Sequence, residues 1–214
     1  MTTWRSSQKA DRRARLLTEA AALFARRGFA AVTTVEIGEA VGMSGPALYK
    51  HFRSKDALLA ELLLDASERL LQGAREILGA GPVTDAAAAR AALDELIAFH
   101  IGFATAAPDI IRIQDRELAG LDAETNQRVR RLQREYVQDW DTVLATAVPG
   151  LSAPERETRL LGVFGLLNST PHSAPAGGEE AAGILAAMAR RALVEAASLS
   201  GADSAGGDSY PEST

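Results

Sequence analysis

The side chains able to do chemistry in this chain fall into two sets. One is a run near the N-terminus, "VGMSGPALYKHFRSKDALLAEL" (41–62), in which Tyr49, Lys50 and His51 occupy consecutive positions. The other is spread through an apolar region: His100, Arg112, Tyr136, Trp140 and Asn168. Neither has the spacing of a catalytic centre. The three histidines, His51, His100 and His172, show no metal-ligand spacing, and cysteine is absent. No phosphate-binding GxxxxGK[ST] loop, dinucleotide fingerprint, HExxH or GxSxG occurs. No catalytic residue, metal or cofactor is therefore expected. What Tyr49-Lys50-His51 can do is recognise. Lysine supplies charge, tyrosine a hydroxyl on an apolar ring and histidine a donor or acceptor, all suited to phosphate oxygens and base edges.

Presenting that triplet takes a short helix held by its neighbours. Alanine and leucine dominate, and no stretch sustains β-branched alternation, so the expected class is all-α. The first helix runs from about Lys9 to Arg27 and ends at Gly28, which can take φ > 0. Thr33 and Glu36 form a capping box for a second helix that stops at Gly42. Ser44 caps a third through about Phe52, with Pro46 in its first turn. Two short helices joined by Gly42-Met43-Ser44 make a helix-turn-helix. Val35, Ile37, Val41, Leu48 and Phe52 can then face inward, which leaves Tyr49, Lys50 and His51 outside. Ser54 caps a fourth helix to about Leu78. Lys55 falls at its N1 position, where a cation opposes the macrodipole, and a phosphate there would explain it.

Charge supports a polyanionic partner. Net charge is −5, but residues 1–55 carry a balance of +6 and the remainder −11. A basic head on an acidic body is an electrostatic footprint for nucleic acid. No secretory signal or bilayer-spanning apolar stretch is visible, so a cytoplasmic protein with no membrane partner is expected.

Residues 13–62 closely resemble the DNA-binding head of the tetracycline-repressor (TetR/AcrR) family, through "LFARRGF", "TTVEIGEAVGMS", "LYKHF" and "SKDALL". The resemblance implies a homodimeric, ligand-responsive transcription regulator, usually a repressor, on a palindromic double-stranded operator. It places Thr33 or Thr34 on phosphate. It places Ser44, Gly45, Pro46, Ala47, Tyr49, Lys50 and His51 in or beside the major groove, and Lys55 on phosphate. Gly45, Pro46 and Ala47 depart from relatives with polar residues there, which limits readout to thymine methyls, backbone approach and DNA shape.

The expected organisation is a helix-turn-helix domain over 1–55, a helical ligand-binding and dimerisation domain over 56–198, and a disordered tail over 199–214. Body helices are expected near 86–106, 109–119, 122–147, 154–169 and 178–198. Apolar residues at helical spacing mark core, and polar groups among them mark a pocket. The pocket candidates are Phe99, His100, Phe103, Arg112, Tyr136, Trp140, Phe164 and Asn168. Such a lining suits an apolar or amphipathic effector, with an acyl-CoA-like molecule favoured over a fatty acid or an aromatic drug. Gly162, Gly165 and Ser169 make a smooth stripe, and the last helix is alanine-rich. Such small residues suit close packing within one subunit as well as between two; the resemblance implies that the last two helices build the dimer, with these residues and Leu185, Met188 and Ala189 at its interface. The rival to the regulator is a helical enzyme or carrier whose N-terminal helices serve protein contacts.

Overall fold

The structure is a computed structural model that describes residues 4–79, 81–169 and 178–195. Within them every regular element is helical. The elements are α1 (Trp4–Arg27), α2 (Thr34–Ala40), α3 (Gly45–Leu48), α4 (Lys55–Leu78), α5 (Ala86–Ala106) and α6 (Pro108–Glu117). A 3-10 turn, Leu118–Gly120, leads to α7 (Ala123–Ala147), α8 (Ala153–Asn168) and α9 (Gly178–Val194). The expected tail over 199–214, the end of the last helix past 195, and His172 lie outside the described residues.

Starts and stops follow side-chain chemistry. Ser54 accepts from the Ala57 N–H at 3.0 Å, Asp85 from Ala88 at 2.8 Å and Asp122 from Thr125 at 3.0 Å. Each such cap contributes about 1 kcal/mol by satisfying an amide that the first turn leaves unbonded. Gly28 ends α1 at φ 81°, and its N–H returns to the Phe24 carbonyl. Two expectations fail here. α1 begins at Trp4 rather than Lys9. α3 is a single turn that stops at Leu48, and Ser44 stands at its N-cap position without a side-chain cap.

Two apolar cores are strung on α4. The head core gathers Leu16, Phe24, Val32, Ile37, Leu48 and Phe52 around Leu58, Leu59, Leu62 and Leu63 of α4. It therefore continues past Lys55 along α4, and it includes Ile113 of α6 and Val129 of α7. The body core packs Leu71 and Ala74 of α4 against α5, α7, α8 and α9. Gly73 lets α5 approach α4 closely, because a Cβ there would lie 2.1 Å from Cζ of Phe99. α5 and α6 bend by 87° at Ala107-Pro108, and no single described helix is long and apolar enough to cross a membrane.

Candidate nucleic-acid interface and buried polar cluster

The helix-turn-helix is held by backbone geometry that only glycine permits. Gly42 sits at φ 71° in the turn. Gly38 packs so tightly that a Cβ would meet the Met43 carbonyl oxygen at 2.9 Å, and that same approach lets the Met43 N–H donate to the Gly38 carbonyl at 2.8 Å. Thr33 starts α2 by accepting from the Glu36 N–H at 3.2 Å, while the Glu36 carboxylate accepts from the Thr33 N–H at 2.8 Å and from Arg27 at 2.6 Å. The Thr33 backbone donor first, then Arg27, holds the Glu36 carboxyl down at about 2. The cap thus keeps its charge through mildly acidic conditions.

From that frame Tyr49 projects with 54% of its surface exposed, its hydroxyl 3.3 Å from the Thr34 hydroxyl. Lys50, Pro46 and Ser44 are exposed, and Ala47 is half-buried. Because α3 is one turn, Tyr49, Lys50 and His51 occupy the turn after it, not its outer face. His51 is half-buried, and its carbonyl accepts from Arg13 at 2.6 Å. Arg13 also pairs with Glu61 and lies 4.2 Å over the Phe52 ring, so this end of the reading element is pinned to α1 and α4. Val35, expected inside, is 51% exposed. It sits in the first turn of α2, next to Thr34 in the chain.

Lys55 has an occupation that sequence reasoning missed. Its ammonium donates to the carbonyls of Phe29 at 2.8 Å and Val32 at 2.9 Å, and it lies 4.2 Å over the Phe29 ring. A cation at N1 is thus accounted for by the α1–α2 loop, without a phosphate. The signal, such as it was, lay in the loop 28–33, where the carbonyls of Phe29 and Val32 belong to no helical ladder. A second clasp ties head to body. Arg116 donates to the Ala25 carbonyl at 3.1 Å, and Glu117 accepts from the Phe29 N–H at 3.1 Å. α6 therefore holds both sides of the α1 C-terminus.

In the body, five of the pocket candidates come together. His100 is 3% exposed and lies between two partners, Tyr136 Oη 3.0 Å from Nδ1 and Asn168 Oδ1 3.1 Å from Nε2. With the Asn168 oxygen as acceptor, Nε2 carries the proton, and Nδ1 accepts from the Tyr136 hydroxyl. Burial pushes the imidazole down to about 4, against the raising effect of Asn168. It is therefore neutral near pH 7. Burial likewise drives the Tyr136 phenol well above its ordinary value; the Trp140 N–H is near enough to its oxygen to offset this in part, but outside hydrogen-bonding geometry. The rings of Trp140 and Phe164 close over the cluster with centroids 5.0 Å apart. The Trp140 indole N–H is buried and has no partner of hydrogen-bonding geometry.

Three candidates stand apart. Phe103 packs with Ala66, Ala104 and Ile111, under the Arg69 guanidinium at 5.4 Å. Phe99 faces Gly73 of α4. Arg112 pairs with Asp109 at 3.1 Å. Phe99 and His100 are consecutive on α5 and so point about 100° apart, Phe103 lies a turn beyond His100 beside α6, and Arg112 belongs to α6 itself.

The interface candidates also divide. Gly162 and Gly165 are exposed and Ser169 half-buried. Leu185 and Ala189 are turned into the protomer's own core, so for them the expected face is corrected. The outward apolar residues are Leu161, Ile184 and Met188, at 64%, 55% and 51% exposure. α8 and α9 run antiparallel, and Arg159 of α8 donates to the carbonyls of Ala192, Leu193 and Glu195 at the end of α9. Among the described residues the exposed large hydrophobics are these three with Val35 and Tyr49, so they concentrate on two surfaces.

Known proteins match two separate stretches of the chain. Residues 16–62 match the family described as "Bacterial regulatory proteins, tetR family", and residues 86–195 match "Tetracyclin repressor-like, C-terminal domain". The HTH-type transcriptional repressor KstR2 of Rhodococcus jostii is 33% identical over 146 residues, 67% of this chain and 68% of that protein. The HTH-type transcriptional repressor Rv1474c of Mycobacterium tuberculosis is 31% identical over 175 residues, 75% of this chain and 93% of that protein. In fold, the chain resembles AibR solved with isovaleryl coenzyme A and operator DNA, with a TM-score of 0.71 at 18% identity, covering 86% of this chain and 98% of that one. The head with its glycine-locked turn and the helical body each find their counterpart in one family, and the chain belongs to it: this is a DNA-binding helix-turn-helix transcriptional regulator of the tetR family, not an enzyme.

Proposed function

We propose that the protein is a homodimeric repressor that leaves a palindromic operator when a small apolar or amphipathic effector, of the acyl-thioester class, enters its body. The observation that carries this reading is the buried polar cluster. A neutral His100 chained to Tyr136 and Asn168, beside an indole N–H without an acceptor, sits inside an otherwise apolar core. Burying a polar group is costly unless it is hydrogen-bonded; the chain from Tyr136 to Asn168 meets that condition, and a ligand's carbonyl would give the Trp140 N–H its acceptor. The rings are closely packed, so entry requires α5, α7 and α8 to open. Rv1474c and KstR2 bear the description of repressor, and AibR was solved with an acyl thioester and operator DNA; these support the class of activity and of effector.

On DNA, Thr33, Thr34, Tyr49 and Lys50 contact phosphate and the groove edge, while Gly45, Pro46 and Ala47 allow close approach. Thymine methyls and DNA shape then carry the specificity. The exposed stripe of Leu161, Gly162, Gly165, Ile184 and Met188 meets its own copy across a twofold axis. Two heads must then match half-sites about 34–36 Å apart. α4 runs from the head core to the body core, and the Arg116–Glu117 clasp ties α6 to α1, so opening of the body changes the separation of the heads. Effector binding shifts a population between two separations, to the extent that it prefers one.

The experiment is fluorescence anisotropy on the DNA flanking the gene, with acyl thioesters of graded chain length added. One that displaces the operator should perturb Trp140 emission, in a Trp4→Phe background, at the same concentrations. Displacement with no change at Trp140, and unaltered by Tyr136→Phe and Asn168→Ala, would move the effector elsewhere.

A further inference from the structure

α7 and α8 leave a groove of about 620 Å3 between them, and no member of the aromatic cluster lines it. Its α7 wall carries Arg130, Gln133 and Arg134, and its apolar floor runs from Val137 over Leu160 to Leu161 on α8. Three observations set it apart from an ordinary helix–helix crevice.

First, the amide nitrogen of Gln133 is buried and has no hydrogen-bond partner. Buried donors without acceptors are rare in folded proteins, and each calls for an explanation. Second, Arg130 and Arg134 are one turn apart on the same face. Like charges at that spacing repel. Neither forms an ion pair among the described residues; Arg130 donates only its Nε, to Asn126 Oδ1 at 2.8 Å. Third, the acid on the same wall, Asp141, offers little relief, because it is held by Arg156 through contacts of 2.7 and 3.2 Å. Glu157, on the opposite wall, is exposed. The result is a local excess of donors within a body whose charge balance is −11.

We infer that this groove binds an amphiphile with an oxyanion head. The head lies between the Arg130 and Arg134 guanidinium groups and accepts from the Gln133 amide. The apolar chain follows Val137 and Leu160, short of the Leu161 side chain assigned to the twofold contact. Guanidinium groups meet a carboxylate or phosphate through paired, charge-assisted hydrogen bonds, and an anion between two arginines turns their repulsion into attraction. This site is distinct from the aromatic cluster and does not depend on the effector reading given for that cluster.

The test is isothermal titration of the full chain with sodium decanoate and with decyl phosphate, both below micelle formation, and with neutral decanol. Saturable binding of an anion at one site per protomer is expected, with decanol weaker by about tenfold or more. Decanoate binding tighter than decyl phosphate assigns a carboxylate head, and the reverse a phosphate head. The Arg130→Gln/Arg134→Gln pair should weaken the anion by about tenfold or more while leaving the thermal midpoint near that of the unmodified chain. Gln133→Leu should weaken the anion yet hold or raise the midpoint, because it removes a buried donor without an acceptor. Equal affinity for decanol and decanoate, or anion binding that survives the double arginine variant or Gln133→Leu, would overturn the assignment. So would anion binding abolished by Trp140→Phe and untouched at the arginines, which would place the ligand in the core instead.

Discussion

Replacing Lys55 by methionine separates two roles that the same residue could have. Methionine keeps the apolar stem and the helix propensity but removes the ammonium. The structure gives that ammonium two carbonyl acceptors, Phe29 at 2.8 Å and Val32 at 2.9 Å, and the face of the Phe29 ring at 4.2 Å. Lys55 is half-buried, so each charged hydrogen bond is taken near the low end, about 1 kcal/mol, and the ring contact adds about 0.5 kcal/mol. Relief of the unfavourable macrodipole at N1 returns about 0.5 kcal/mol. The net loss is about 2 kcal/mol, which for a chain of this size lowers the thermal midpoint by about 4–8 °C. Calorimetry and anisotropy on the same preparation decide the matter. The folded variant should keep the salt dependence of DNA binding, whereas a lost phosphate contact lowers the slope of log K against log salt by about 0.9. An unchanged midpoint together with a slope lowered by about that amount would refute the structural assignment and return Lys55 to phosphate.

Gly73→Ala drives a methyl into Phe99 and should cost about 1–3 kcal/mol in urea unfolding, with most of the loss recovered in the Gly73→Ala/Phe99→Leu pair. Leu161→Glu or Met188→Glu should yield folded monomers by sedimentation, with greatly weakened operator binding, whereas Ala189→Glu should unfold the body because that position is fully buried. For His100, the folded pKa is lowered from 6.5 to about 4, so between these values the unfolded chain takes up a proton that the folded chain refuses. The stability it allows is complete above pH 6.5 and falls by about 3 kcal/mol as pH drops to about 4. Urea melts at pH 7 and pH 5 should show this loss, and His100→Gln should flatten it.

The helices of this protein were legible from sequence because their signals are local. Thr33 with Glu36, Ser54, Asp85 and Asp122 each bond an amide within three residues, and Gly28 and Gly42 mark where φ must turn positive. The head was legible as a unit for the same reason, with its charge asymmetry and motif run confined to one contiguous stretch. A residue's partners across the fold were not. Nothing near Lys55 in the sequence announces that the carbonyls of Phe29 and Val32 lie under its ammonium, because they come from a loop that only the packing of α1 on α4 brings there. The convergence of His100, Tyr136 and Asn168 required three helices to fix their rotation about their own axes. The same fixing of helix rotation sent Phe99 to Gly73 and Leu185 and Ala189 inward, while it left Ile184 and Met188 outside. A 3.6-residue period specifies that a helix has an apolar face. Which residues at the edges of that face end up covered depends on the crossing angle and depth of the neighbouring helix, and those are set by the packing of the whole core.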